Sequence, residues 1–143
     1  MNRHELRIAA RGIREGNSRY AGAIIQFLDK DEYRFGSGYA KEYAWKMLKR
    51  ADLTEKQKEQ LRNIALRYLQ KRMQREFWYM CRFIHRIADE ALRARVKQLS
   101  ASKDEKVSQR AALLLAYFES SEKGEQEHRR FRWQCLDRTY RWR

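Results

Sequence analysis

The chain has 143 residues, a net charge of +14, 36% charged residues and 43% hydrophobic ones. That is the length of one ordinary domain, so we expect a single helical domain over 1–143 with a thin core. No apolar run approaches the roughly 18–20 residues of a membrane span, MNRHELRIAARGIRE lacks the apolar stretch of a secretory signal, and the two cysteines, Cys81 and Cys135, cannot build a disulfide framework. The expectation is a soluble protein of the reducing cytoplasm with no membrane partner. The absence of proline and the presence of only six glycines leave a chain poorly equipped for the turns of a sandwich or barrel. Helices exclude internal proline, because it lacks the N–H and clashes with the preceding turn.

The expected class is therefore all-α, a helical bundle of about seven or eight helices. Asn2 and Glu5 form a capping box that opens a first helix ending near Arg14, with Gly16 as its stop. Asn17 or Ser18 caps a second helix to about Leu28, and DKDEYRFGSG (29–38) reads as the longest loop. A third helix runs from about Tyr39 to Arg50. Thr54 and Gln57 form a second capping box, opening a fourth helix to about Met73. Helix five covers about 75–88 and helix six about 89–99, as two helices or one bent one. Ser102 or Asp104 caps helix seven, which runs to about Glu119. Its run AALLLAYF (111–118) is apolar on nearly all sides and belongs at the centre of the domain, with Leu114 and Leu115 fully buried. Gly124 then separates helix seven from a basic, aromatic C-terminal helix over 125–143, which either packs on the domain or extends from it.

Residues 88–118 (ADEALRARVKQLSASKDEKVSQRAALLLAYF) resemble a HEAT-type repeat: a helix, a short turn with Asp, and a second helix opening with Val and continuing into small and leucine residues. Asp104, Val107, Arg110, Ala111 and Leu115 carry the resemblance. A weaker echo spans 39–69, with Asp52 in its turn; neither turn has a proline. The resemblance covers about half the chain. It implies a short stack of helical hairpins and says nothing of activity. An irregular bundle is the alternative.

The basic residues favour arginine, 22 against 11 lysines. Arginine presents a planar fork to phosphate and stacks on aromatic faces. From Arg62 to Lys97 ten basic residues face only Glu76, Asp89 and Glu90, and from His128 to Arg143 six arginines face only Asp137. On helix five Phe77, Cys81, Ile84 and Ala88 fall on one face, with Met80 and Ile87 beside them. Arg75, Trp78, Tyr79, Arg82 and Arg86 fall on the other. Arginines among Trp and Tyr suit nucleic acid, with phosphates neutralised and bases stacked; alternatively, Trp78 and Tyr79 pack against a neighbouring helix. On helix eight Phe131, Cys135 and Trp142 share one face, and Trp133, Leu136 and Tyr140 the opposite one. Arg129, Arg132 and Arg143 flank the second cluster, which needs a partner.

Little points to catalysis. Cys81-x3-His85 brings a thiol and an imidazole to one helix face, but His128 and Cys135 are seven residues apart, about 10 Å along a helix, too far to complete a zinc site. Gly36-Ser37-Gly38 lacks the lysine and preceding strand of a P-loop and reads as a linker. Trp78, Asp89 and Arg82 are the residue types of helical-repeat DNA glycosylases, without a motif. The function expected is a non-enzymatic nucleic-acid-binding protein without cofactor or metal. It would be backbone- or shape-directed, a small basic subunit of a ribonucleoprotein or of a phage- or plasmid-type accessory complex. The candidate contacts are Arg75, Trp78, Tyr79, Arg82, Arg86, Arg129, Arg132, Trp133, Tyr140 and Arg143. The alternative is a helical-repeat module docking an acidic protein.

Overall fold

The structure, a computed structural model, describes residues 1–17, 19–31, 37–71 and 76–135, and of residues 37 and 131–135 the backbone only. Among the described residues it is an all-α bundle of eight helices with no strand. These are α1 (Arg3–Arg14), α2 (Arg19–Lys30), α3 (Ser37–Leu48), α4 (Glu55–Gln70), α5 (Phe77–Ile84), α6 (Glu90–Ser100), α7 (Glu105–Glu119) and α8 (Ser121–Cys135). None is long and apolar enough to cross a membrane.

Local chemistry sets most boundaries. Asn2 Oδ1 accepts the Glu5 N–H at 2.9 Å while Glu5 Oε2 accepts the Asn2 N–H at 2.8 Å. Thr54 and Gln57 exchange the same pair of bonds at 3.1 and 3.0 Å. Such caps satisfy N–H groups that the helix leaves open and contribute about 1 kcal/mol each. Gly16 follows α1 at φ +84°, a left-handed conformation open to glycine at little cost. Asp89 makes α5 and α6 two helices: its backbone is extended and its carboxylate accepts the Leu92 N–H at 2.8 Å. α5 ends earlier than the pattern suggests, because Arg86 and Ile87 turn their N–H groups to residues three back. Asp104 caps α7 through the N–H groups of Lys106 and Val107.

Two glycine readings are corrected. Gly124 does not separate α7 from α8; it lies inside α8. A Cβ there would come within 2.3 Å of the Tyr117 ring, so the glycine lets α8 close onto α7. Ser37 and Gly38 belong to the first turn of α3 rather than to a linker; Gly36 lies outside the described residues.

One apolar cluster joins residues from Leu6 in α1 to Tyr117 in α7. Trp45 sits deep within it, against Tyr68 at 6.4 Å and Phe83 at 5.7 Å between ring centroids. Burying aromatics of this size dominates core energetics. α7 packs on α4, α5, α6 and α8, and Leu114 is fully buried, but Leu115 is only partly so. α6 and α7 form a packed hairpin. α3 and α4 do not lie along one another: α3 packs on α1, α2 and α5, and α4 on α2, α5, α6 and α7.

Several charged groups serve this architecture. Arg62 donates to the Ile87 carbonyl at 2.7 Å and pairs with Asp89 at 3.4 Å, tying α4 to the turn before α6. Arg67 pairs with Asp29 of α2, and buried Arg110 donates to the Leu69 carbonyl at 3.0 Å. Buried Lys41 lies 2.5 Å from Asp31 and 3.9 Å from Glu76. Burial raises the Glu76 carboxyl to about 7, since water no longer solvates its anion.

Candidate nucleic-acid interface

α5 is apolar on nearly every side: Phe77, Trp78, Met80, Cys81, Phe83 and Ile84 are all buried. Tyr79 and Arg82, three residues apart and so on one face, are its two positions that are not. α3 lies alongside and supplies Lys46, whose ammonium sits 4.6 Å from the centre of the Tyr79 ring. Arg82 approaches the same ring at 5.2 Å. Tyr79 is thus a partly exposed ring with two cations close to it, an arrangement that desolvation strengthens.

Lys49, just beyond α3, and Arg86, just beyond α5, are both exposed and enlarge the cluster. Burial depresses the Lys49 ammonium, and the positive fields of Arg82, Arg86 and Lys46 depress it further; Glu125 acts in the opposite sense. His85 is pushed down by burial, then by Arg86 and Lys49. The Lys49 ammonium is thus destabilised by its neighbours, and a bound polyanion would relieve that repulsion. Such a patch also concentrates anions around it.

Arg82 is already engaged. Its guanidinium meets Glu125 of α8 in a bidentate pair at 2.5 and 3.0 Å, and the Tyr117 hydroxyl donates to the same carboxylate at 3.1 Å. The Arg82 hydrogen bond holds Glu125 below its usual range. Planar, two-pronged bonds of this kind are strong and orienting. Here one fixes α8 against α5.

The sequence candidates therefore separate. Tyr79 belongs to the patch through its contact with Lys46, and Arg86 through the field it exerts on Lys49. Arg82 borders it, with its charge paired to Glu125. Trp78 is corrected: it does not share an open face with Tyr79 but is 5% exposed, covered by the His128 ring of α8 at 3.6 Å and edged by Phe77. A base cannot stack there while α8 is in place. Arg129 is exposed on α8. Arg75, Leu136, Tyr140, Trp142 and Arg143 lie outside the described residues, as do the side chains of Phe131, Arg132, Trp133 and Cys135. Lys46 and Lys49 escaped the sequence reading. Their spacing of three puts two like charges on one helical stripe, a signal present but weak without knowledge that α5 lies beside it.

Cys81 is fully buried, and the His85 ring lies 3.4 Å from the Ser121 hydroxyl. Among the described residues no group of three His, Cys, Asp or Glu side chains converges on a metal position. No family model, curated protein or solved structure matches the chain.

Proposed function

We propose that this is a non-enzymatic nucleic-acid-binding protein that grips the sugar–phosphate backbone through the α3–α5 patch. The observation that carries the reading is Lys46 over the partly exposed Tyr79 ring, with Lys49 within the positive fields of Lys46 and Arg86. Three cations would displace condensed counterions from phosphates, a gain that depends on salt and not on sequence. The Tyr79 ring holds the Lys46 ammonium at this surface. Four arginines, Arg62, Arg67, Arg82 and Arg110, are committed to internal contacts, so the protein's charge is partly architectural, whereas Lys49 and Arg86 of the patch are exposed.

In this reading α6–α7 is a HEAT-like hairpin that braces α5 from behind. The chain works in the reducing cytoplasm as a small basic subunit of a ribonucleoprotein or of a phage- or plasmid-type accessory complex. The test is a titration against single-stranded and duplex DNA and RNA, with an acidic protein as competitor. Binding that falls steeply with salt and survives the competitor supports the proposal. Displacement by stoichiometric acidic protein, with no measurable nucleic-acid affinity, would replace it with the docking of an acidic protein.

A further inference from the structure

A second feature lies toward the N-terminal end of α3. A cleft of about 330 Å³ opens between α1 and α3, lined by Arg3, Leu6, Arg7, Tyr39, Ala40 and Tyr43. Its size falls at the lower end of small-ligand sites. Tyr39 is 49% exposed, among the most exposed large apolar side chains of the described residues. Arg3 and Arg7 are one turn apart and both exposed; among the described residues neither forms an ion pair. The cleft thus presents two guanidiniums and two phenol rings, and among its described lining residues there is no carboxylate.

The cleft is linked to the α3–α5 patch by helical geometry. Tyr39, Tyr43 and Lys46 stand at i, i+4 and i+7, one stripe of α3, and about 10 Å of helix separates the first from the last. Lys46 in turn covers the Tyr79 ring. Cations and rings therefore share one path: Arg3 and Arg7, Tyr39, Tyr43, Lys46, Tyr79.

We propose that the α1–α3 cleft is a nucleobase subsite and that α3 carries a single-stranded nucleic acid from it to the α3–α5 patch. The inference rests on the nucleic-acid reading above and adds strandedness and a second contact surface. An accessible tyrosine ring stacks only on a base that has left its own stack, which a duplex does not offer. An acidic peptide would satisfy the arginines and leave the rings without a stacking partner. DNA and RNA share the chemistry used here, and separate probes distinguish them.

The experiment is fluorescence anisotropy on the full chain with labelled oligouridylate and oligothymidylate of about 12 nucleotides, a length within known single-strand site sizes. A duplex of equal length and polyglutamate as competitor complete the set. The variants are Tyr39→Ala, Tyr39→Phe, Arg3→Ala/Arg7→Ala and, for the other patch, Lys46→Ala/Lys49→Ala/Arg86→Ala. Circular dichroism establishes that each is folded. Tyr39→Ala should weaken single-strand binding about 5- to 150-fold, the range of one lost base stack. Tyr39→Phe should restore it, and duplex binding should change less than about twofold. Arg3→Ala/Arg7→Ala should flatten the log–log salt slope by about 1.4, two single-strand contacts at about 0.7 each. Unchanged single-strand binding in Tyr39→Ala and Arg3→Ala/Arg7→Ala, alongside loss in the Lys46/Lys49/Arg86 variant, overturns the subsite and leaves the proposed function standing. So does wild-type binding to duplex alone. Absence of binding to every nucleic acid, or displacement by polyglutamate indifferent to Tyr39, overturns both.

Discussion

Trp78 of α5 and His128 of α8 lie face to face, their ring centres 3.6 Å apart and their planes 18° from parallel. The contact closes Trp78 off from solvent and, with the Arg82–Glu125 pair, seats α8 on the bundle. Trp78→Ala is therefore expected to act on stability, costing about 3–5 kcal/mol as a large buried aromatic is lost. Nucleic-acid affinity of the fraction still folded should be unchanged. Thermal unfolding alongside titration checks this; a stable variant with weakened binding would return Trp78 to the interface.

Gly124 is a packing residue, and its substitution tests the seat of α8. Alanine is the better helix former, by about 1 kcal/mol, yet its Cβ would meet the buried Tyr117 ring at 2.3 Å. Overpacking of this kind typically costs about 1–3 kcal/mol. Gly124→Ala should lower the melting temperature despite the gain in propensity. An increase would show that Tyr117 moves aside freely.

The two adjacent leucines of α7 should differ. Leu114 is fully buried and Leu115 only partly so. Leu114→Ala should cost about 2–5 kcal/mol, and Leu115→Ala distinctly less, by denaturant unfolding. Equal losses would mean that Leu115 is as enclosed as its neighbour.

Glu76 makes stability depend on pH. Its carboxyl is raised from 4.5 to about 7, chiefly by burial. Between those values the folded chain holds a proton that the unfolded chain has released, so stability must fall as pH rises. The contribution is complete below about 4.5 and lost through about 7. Glu76→Gln keeps the neutral shape, and its stability should decline less than that of the wild type between pH 5 and 8, by roughly 1–3 kcal/mol. Chemical denaturation of both proteins across that range reads the difference; parallel curves would mean that Glu76 is already ionised at pH 5.

Features carried by a few neighbouring residues were legible in the sequence. Asn2 with Glu5, and Thr54 with Gln57, announce caps because the bonding partners lie three residues apart. The apolar stripe of α5 was equally plain. What the stripe could not tell is which helix covers the remaining face: Trp78 is enclosed by a histidine fifty positions away in α8. Gly124 looked like a breaker because its requirement, a tyrosine ring against the backbone, is tertiary. The same limit hid the candidate site. Lys46 and Lys49 become part of a patch only where α3 lies against α5, and Arg82 leaves it only because Glu125 arrives from α8.

The most direct measurement is the salt dependence of nucleic-acid affinity for the wild type and for Lys49→Ala/Arg86→Ala, at three salt concentrations. Both side chains are exposed, so the variant should remain folded. If they neutralise phosphates, the log–log slope should be shallower by about 1.4–1.8, two contacts at about 0.7–0.9 each. An unchanged slope and affinity in a folded variant would contradict binding at the α3–α5 patch.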